Sequence, residues 1–238
     1  MAGALEEDQI RAEADRRGIS RLCHLTPVRN LLQIATGSGL RSVVELEDDR
    51  EAFDQQDLDR YDNHPNHISC SIEYPNVWYL RQRRRQATPL QKLFPNWVCL
   101  LIDRKYLWAP STEFSPRNAS AEYGALLKPG YDAFLGLYAE RVPGAYGQTR
   151  GRGSKPDCCP TDDQGEVMIH KQIPLEDAST IVFADAAQAA DNLGALRLLG
   201  VPVETLDYLI APSFFETGLS GILRSGRRSP ETPWTPPQ

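Results

Sequence analysis

The segment that decides the fold is ISRLCHLTPVRNLLQIAT, at positions 19–36. Its first half has the composition and spacing of a short β-strand, and we predict a strand from Ile19 to Thr26. Pro27 then opens a helix, because proline is accepted at a helix start and the apolar positions 28, 31, 32 and 34 share one face. Glycine follows at position 37, where a helix commonly ends. The segment therefore predicts a strand that turns directly into a helix.

Four later segments also have the pattern of β-strands. They are residues 67–75, 97–103, 166–174 and 179–185. The second of these, WVCLLID, is almost continuously apolar, which is typical of a strand buried on both faces. The predicted helices are a charged, little-packed one at 5–18, short ones at 118–127 and 131–139, and a longer one at 186–200. Because strands and helices do not alternate regularly, the predicted class is α+β.

Residues 141–165 predict a flexible loop, because five glycines, three prolines and many polar side chains leave little to bury. The end of the chain is rich in proline and arginine, a composition typical of disorder. We therefore expect a single domain over residues 1–220 and a disordered tail over residues 221–238.

The charge balance excludes a protein that binds nucleic acid through its overall charge, since 26 basic and 32 acidic side chains give a net charge of −6. The charges are nevertheless uneven: residues 44–62 carry nine acids against two arginines, whereas four arginines lie within residues 81–85. No run of 18 apolar residues exists and the first residues lack an apolar stretch, so we expect neither a membrane span nor a signal peptide. Five cysteines, an odd number, favour reduced thiols and a cytoplasmic location.

Familiar metal and nucleotide motifs are missing from the sequence. Neither GxGxxG nor GxxxxGK[ST] occurs, which excludes the Rossmann and P-loop routes to nucleotide binding. Cys158 and Cys159 are adjacent and do not have the spacing of a zinc knuckle. We expect no metal.

Three short motifs are candidates for chemistry. The first is Cys23-His24-Leu25-Thr26 on the early strand, where His24 can also be an ordinary core histidine. The second is Arg60 among acidic residues, where a surface ion pair is the simpler interpretation. The third is Gln164-Gly165-Glu166, which places a carboxylate at the start of a strand directly after the long loop.

Taken in order, these motifs resemble those of the ADP-ribosyltransferase fold, and more narrowly the DarT family of DNA ADP-ribosyltransferase toxins. The resembling segments are HLTPVRNLLQIATGSGLRS, the Arg60 region leading to HISCSIEYPN, FPNWVCLLID and PTDDQGEVMIHKQIP, within residues 18–185. The resemblance implies a split β-sandwich core with peripheral helices, NAD+ as co-substrate and a base in single-stranded DNA as acceptor. It also implies a toxin of a toxin–antitoxin or phage-defence system, with a macrodomain antitoxin as a possible partner.

The resemblance also implies roles for individual residues. The catalytic residues are Glu166 and Arg60. The residues that hold NAD+ are His24, Leu25, Thr26, Gln33 and Arg60. The residues that bind the acceptor are Gln164, Arg83, Arg84 and Arg150. In this interpretation the loop at 143–165 recognises the substrate.

Two alternatives remain open from the sequence. A transferase of the same fold can act on RNA or protein, or remove an RNA 2′-phosphate, since fold does not fix function. A non-catalytic protein can bind single strands through the arginines near Trp78 and Tyr79, whose aromatic rings would stack on bases. Thymine and guanine both remain possible acceptors, and Tyr74-Pro75-Asn76 favours a branch other than the thymidine-modifying one.

Overall fold

The computed structural model describes residues 2–37, 39–48, 62–93, 96–144 and 147–236. Its helices are α1 (Ala2–Arg17), α2 (Val28–Thr36), α3 (Val43–Asp48), α4 (Val77–Gln86), α5 (Pro89–Leu93), α6 (Tyr131–Gly136), α7 (Ala186–Leu198) and α8 (Gly218–Arg224). Its strands are β1 (Arg21–Pro27), β2 (Leu40–Arg41), β3 (His67–Ile72), β4 (Trp97–Asp103), β5 (Glu113–Ser115), β6 (Lys128–Pro129), β7 (Arg141–Pro143), β8 (Thr149–Gly151), β9 (Glu166–His170), β10 (Gln172–Ile173), β11 (Thr180–Phe183), β12 (Asp207–Ile210) and β13 (Thr232–Pro233). Within these ranges, no helix is both long enough and apolar enough to cross a membrane.

The central sheet consists of two halves. In the described part of the chain, nine strands follow the order β13-β12-β11-β4-β1-β3-β9-β5-β6. Of these pairs only β11 and β12 run parallel, and α7 connects them. The halves meet where β1 pairs with β3 at two positions only, Leu22 with Ile72 and Cys23 with Ser71. This mixed topology confirms the α+β prediction, and the expected split of the core lies between β1 and β3.

Strand β4 lies in the middle of the first half-sheet, between β1 and β11. Val98, Cys99 and Leu100 are completely buried, and Ile102 is almost so. Side chains that point alternately to the two faces are thus all covered, as expected for an almost continuously apolar strand. This burial explains why β1 is held rigidly: it pairs with β4 along its whole length, from Arg21–Asp103 to Pro27–Trp97.

The turn from β1 into α2 forms as the sequence predicts. Helix α2 begins at Val28, directly after β1, and buries Leu31, Ile34 and Ala35 in the core. Gly39 follows in the left-handed region at φ +100°, where a Cβ atom would lie 2.3 Å from the carbonyl oxygen of Ile173. Only glycine allows this close approach between the segment after α2 and β10.

Helix α1 packs more closely than its charged sequence predicts. Ile10 and Ala14 are buried against the domain. The guanidinium carbon of Arg17 lies 3.9 Å from the centre of the Tyr138 ring, a cation–π contact. The long arginine side chain thus covers an aromatic ring, a contribution that a count of apolar positions does not reveal.

The C-terminal segment corrects the prediction of a disordered tail. Over residues 221–236 the chain completes α8, buries Ser229 and adds β13 to the sheet edge beside β12. Two nitrogens of Arg21, at the start of β1, donate to the carboxylate of Glu231 at 2.6 and 2.5 Å. The prediction was wrong because this segment gains its order from partners distant in the sequence, such as Arg21 for Glu231 and Tyr208 for Trp234.

The Arg21–Glu231 pair provides a test of how firmly this segment is attached. Both side chains are largely buried, at 16% and 19% exposure. We expect Glu231→Gln to lower the free energy of unfolding by about 2 kcal/mol, between the values for exposed and buried ion pairs. Chemical denaturation at pH 7.5 measures this change.

Glu204→Gln is the matched control, because Glu204 pairs with Arg197 at an exposed site. Its effect should be below about 0.5 kcal/mol. Equal stability losses in the two variants would show that the Arg21–Glu231 pair does not anchor the C-terminal segment.

Candidate functional site

The first part of the site is the opening between the two half-sheets. Beyond the Cys23–Ser71 pair, β1 and β3 no longer pair through their backbones. Here the Nδ1 atom of His24 lies 2.9 Å from the carbonyl oxygen of Ser69. Because a carbonyl only accepts, Nδ1 carries the proton and donates. Burial lowers the pKa of His24, so the ring is neutral and its Nε2 atom is a hydrogen-bond acceptor.

The other residues predicted to hold NAD+ lie along β1 and α2. Thr26 is buried, and its hydroxyl accepts a hydrogen bond from the Asn30 amide at 3.2 Å. Leu25 is half-buried and packs against the core. Gln33 is half-buried on α2, and its backbone carbonyl accepts the N–H of Gly37 at the helix end. The β1–α2 unit therefore carries His24, Leu25, Thr26 and Gln33 as one rigid element.

The second part of the site is the carboxylate of Glu166, the first residue of β9. It is only 7% exposed. Its Oε2 atom accepts the N–H of Ala119 at 3.0 Å, and its Oε1 atom accepts from the Asn118 amide at 3.3 Å. Since Cys70 of β3 pairs with Val167, the strand register places Glu166 level with Ser71, the residue that pairs with Cys23. The carboxylate is therefore fixed on the half-sheet opposite His24.

The segment before Glu166 is not the flexible loop that its composition predicts. Strands β7 and β8 form a hairpin, and residues 152–165 fold into an anchored turn. The ammonium group of Lys155 is buried and donates to the carbonyls of Pro160 and Thr161 and to the carboxylate of Asp163. Asp163 also accepts the Ser220 hydroxyl of α8. The prediction failed because this segment is held by polar contacts, which a search for apolar residues does not detect.

Two residues predicted to bind the acceptor belong to this region. Gln164 is half-buried, and its backbone N–H donates to Asp162 at 3.0 Å. Burial raises the pKa of Asp162, and the positive charge of Arg150 acts in the opposite direction. Arg150 on β8 therefore lies close enough to the turn to influence it. Gln164 lies on this turn, Arg150 on the hairpin, and Glu166 begins the strand that follows the turn.

The remaining acceptor candidates lie on α4, whose start follows the end of β3. The guanidinium carbon of Arg83 is 5.3 Å from the centre of the Tyr79 ring. One nitrogen of Arg84 donates to the carbonyl of Phe215 at 2.8 Å, so Arg84 also attaches α4 to the C-terminal half. Arg81 and Arg85 are exposed on the same helix. The arginines of this helix therefore differ in the contacts that they make with the rest of the protein.

Arg60 lies outside the described residues, so its predicted role stays a prediction. Three residues of the site were not predicted from the sequence: Asn118 and Ala119, which hold Glu166, and Ser69, which orients His24. A single sequence offers little signal for them, because two act through backbone groups and Asn118 follows a three-residue strand. In the described ranges, no group of three or more His, Cys, Asp or Glu side chains has the arrangement of a metal site.

Comparison with known proteins identifies the family. Residues 23–215 match the family model described as "ssDNA thymidine ADP-ribosyltransferase, DarT". The chain belongs to the DarT family. The family resemblance seen in the sequence is therefore confirmed. A search among curated proteins finds no match.

Solved DarT structures share the fold of this chain. The complex of Thermus sp. 2.9 DarT with NAD+ superposes with a TM-score of 0.56 at 12% identity, covering 83% of this chain and 98% of that one. The complex of the same protein with ADP-ribosylated ssDNA gives 0.53 at 10% identity, covering 84% and 97%. Thermosipho africanus DarTG in complex with ADP-ribose gives 0.56 at 11% identity and 82% coverage, but this chain spans only 51% of it. These likenesses confirm the predicted ADP-ribosyltransferase architecture of the DarT family.

The half-buried His24 imidazole provides a pH test of this geometry. Burial lowers the pKa of His24 from its usual 6.5. As the pH falls through 6.5, the unfolded chain takes up a proton that the folded chain does not, so stability falls by up to about 1.4 kcal/mol per pH unit. His24→Gln keeps a donor for Ser69 and should remove this component.

Denaturation at pH 7.5 and pH 5.0 measures the pH-dependent loss of stability in wild type and His24→Gln. Burial also lowers the pKa of His67, which contributes equally to both proteins. The variant should therefore lose less stability than wild type on acidification. An equal loss would mean that His24 is not a buried, neutral imidazole.

The cations of α4 can be separated by their internal contacts. Arg85→Ala should reduce the slope of log K against log salt for single-stranded DNA binding by about 0.7, the value for one phosphate contact, without changing the melting temperature. Arg84→Ala should cost about 1 kcal/mol of stability, because it loses the bond to Phe215. Titrations at several salt concentrations beside thermal melts distinguish them. An unchanged slope in Arg85→Ala would remove this residue from the DNA-binding surface.

Proposed function

We propose that this chain transfers ADP-ribose from NAD+ to a thymine base in single-stranded DNA. The observation that carries the proposal is the buried Glu166 carboxylate, fixed by two donors on the half-sheet opposite His24, in a chain of the DarT family. A buried carboxylate held in a fixed orientation is suited to stabilise positive charge that develops in a transition state.

The residues around the split fit NAD+. When bound, NAD+ supplies a glycosidic bond that is already activated, because its nicotinamide is a cationic leaving group. The neutral His24 ring offers an acceptor at Nε2, and the Thr26 hydroxyl adds a polar group on the same strand. Glu166 accepts a hydrogen bond from a hydroxyl of the sugar and stabilises positive charge at the reacting carbon. Arg60 is proposed to meet the pyrophosphate or to assist deprotonation of the acceptor base.

The acceptor side is proposed to be the turn and hairpin at residues 141–165, together with α4. The Gln164 amide can both donate to and accept from the edge of a base. Arg150 and the exposed cations of α4 can contact phosphates, despite the net charge of −6. A paired base hides its ring nitrogens, so a single strand is the accessible substrate.

The choice of thymine rests on the description of the matching family model. The segment Tyr74-Pro75-Asn76 pointed to another branch, but its side chains have structural roles. Tyr74 is buried edge-to-face against Phe214, and the Asn76 side chain accepts the N–H of Tyr79 at the start of α4. Since both side chains are engaged in packing and capping, the segment does not argue for guanine.

The biological setting is proposed from the family. We propose a toxin of a toxin–antitoxin or phage-defence system that acts in the cytoplasm, with a macrodomain antitoxin as partner. The likeness to Thermosipho africanus DarTG in complex with ADP-ribose supports such a partner. All five cysteines are buried free thiols, which fits a reducing compartment.

The proposal is tested by Glu166→Gln, which keeps the shape of the side chain and removes its charge. Transfer of label from adenine-labelled NAD+ to single-stranded DNA should fall at least 10²–10³-fold, because a preorganised charge acting mainly in the transition state is lost. Glu113→Gln is the control: Glu113 is a half-buried carboxylate on neighbouring β5, paired with His64. It should retain activity.

The acceptor is tested with separate reactions on single-stranded DNA, RNA and protein. The proposal is supported if label appears on single-stranded DNA that contains thymine and is absent from a strand that contains guanine but no thymine. Label on RNA or protein alone would favour the other transferase, and binding of DNA with no transfer would favour the non-catalytic binder. Full activity of Glu166→Gln with an unchanged melting temperature would overturn the role of Glu166.

A further inference from the structure

The loop between β5 and β6 makes direct contact with the Glu166 carboxylate. Within it, residues 116–120 place the Ala119 N–H 3.0 Å from Oε2 of Glu166 and the Asn118 amide 3.3 Å from Oε1. Each oxygen of the carboxylate thus receives a donor from the same loop. Two donors on two different oxygens fix the plane of a carboxylate, which one donor alone does not.

The orientation of the Asn118 amide is itself fixed. Its Oδ1 atom accepts the backbone N–H of Ser120 at 3.0 Å and also the Ser120 hydroxyl. With the oxygen held by two donors, the Nδ2 group is directed to Glu166. The amide therefore belongs to a network in which each member is oriented by the next.

The Ser115 side chain does not hold Glu166. Ser115 of β5 is its direct neighbour in the strand register and is fully buried. The Ser115 hydroxyl has no hydrogen-bond partner within the described residues. The two donors identified above, from Asn118 and Ala119, both belong to the 116–120 loop.

We propose that Asn118 is a positioning residue that orients the Glu166 carboxylate for transfer. The inference rests on the proposed function of Glu166. Asn118 acts through Glu166 and not on the substrate: its N–H stabilises the ionised carboxylate and turns the remaining lone pairs towards the sugar. Without this donor Oε1 loses its hydrogen bond while the Ala119 N–H still holds Oε2, so the plane of the carboxylate is less well fixed and fewer molecules hold the reactive geometry.

Two substitutions test the proposal. Asn118→Ala removes the donor, and Asn118→Asp keeps the acceptor for Ser120 but places a second negative charge beside Glu166. Loss of a hydrogen bond to a charged group predicts a fall in kcat of roughly 10–100-fold for Asn118→Ala. The kcat of Asn118→Asp should fall further than that of Asn118→Ala. The acid limb of its kcat–pH profile should move to higher pH, because adjacent carboxylates disfavour ionisation of one another. KM for NAD+ should change less than kcat.

Asn192→Asp is the matched control, because the Asn192 amide donates to the carbonyl of Gln188 on α7, away from the site. It should keep the wild-type kcat and pH profile. The inference is overturned if Asn118→Asp has wild-type kcat, or if its activity falls only in proportion to the folded fraction with an unmoved pH profile. If wild type itself transfers nothing from NAD+ to DNA, the proposed function fails instead, so the two failures are distinguishable.

Discussion

The contact between β1 and β3 is the constraint on which the rest of the site depends. Two residue pairs join the half-sheets, and beyond them the His24 ring donates to the Ser69 carbonyl where a backbone N–H would otherwise stand. Buried backbone groups require partners, so strands can separate inside a domain only where a side chain or a ligand replaces the missing ladder. The His24 imidazole provides the partner for the Ser69 carbonyl through Nδ1, and its Nε2 atom remains a hydrogen-bond acceptor.

The opposite side of the opening is built from polar contacts. Glu166 is held by the 116–120 loop, and the turn that precedes it is held by the buried Lys155 ammonium. Asp163 then connects this turn to Ser220 in α8, beyond the segment that matches the family model. A buried polar network is stable only when every polar group in it has a hydrogen-bond partner. When that holds, it fixes the position and orientation of its members, here including the carboxylate. Helix α8 thus helps to hold the turn that precedes Glu166.

The sequence predicted the elements whose pattern is local and missed those whose order is not. The strand–helix unit at 19–36 and the apolar strand WVCLLID were recognisable because burial imposes a visible period on the side chains. Strands β5 to β8 have two or three residues each, which is too short to show a period. The turn at 152–165 and the C-terminal segment depend on partners such as Asp163 and Arg21, which lie far away in the chain. His24 and Glu166 were recognised through the order of motifs, whereas Asn118 and the N–H of Ala119 carry no motif of their own.

If NAD+ binds in the split between β1 and β3, His24 is the histidine next to it. The chain has four histidines, of which His64, His67 and His170 lie together elsewhere, with neighbouring ring centres 5.1 and 5.3 Å apart. A titration of NAD+ into the ¹⁵N-labelled protein, followed through the histidine ring nitrogens by NMR, reports on both places at once. We expect the Nε2 resonance of His24 to shift saturably while those of the other three rings do not. Saturable binding of NAD+ that leaves His24 unchanged would contradict this expectation.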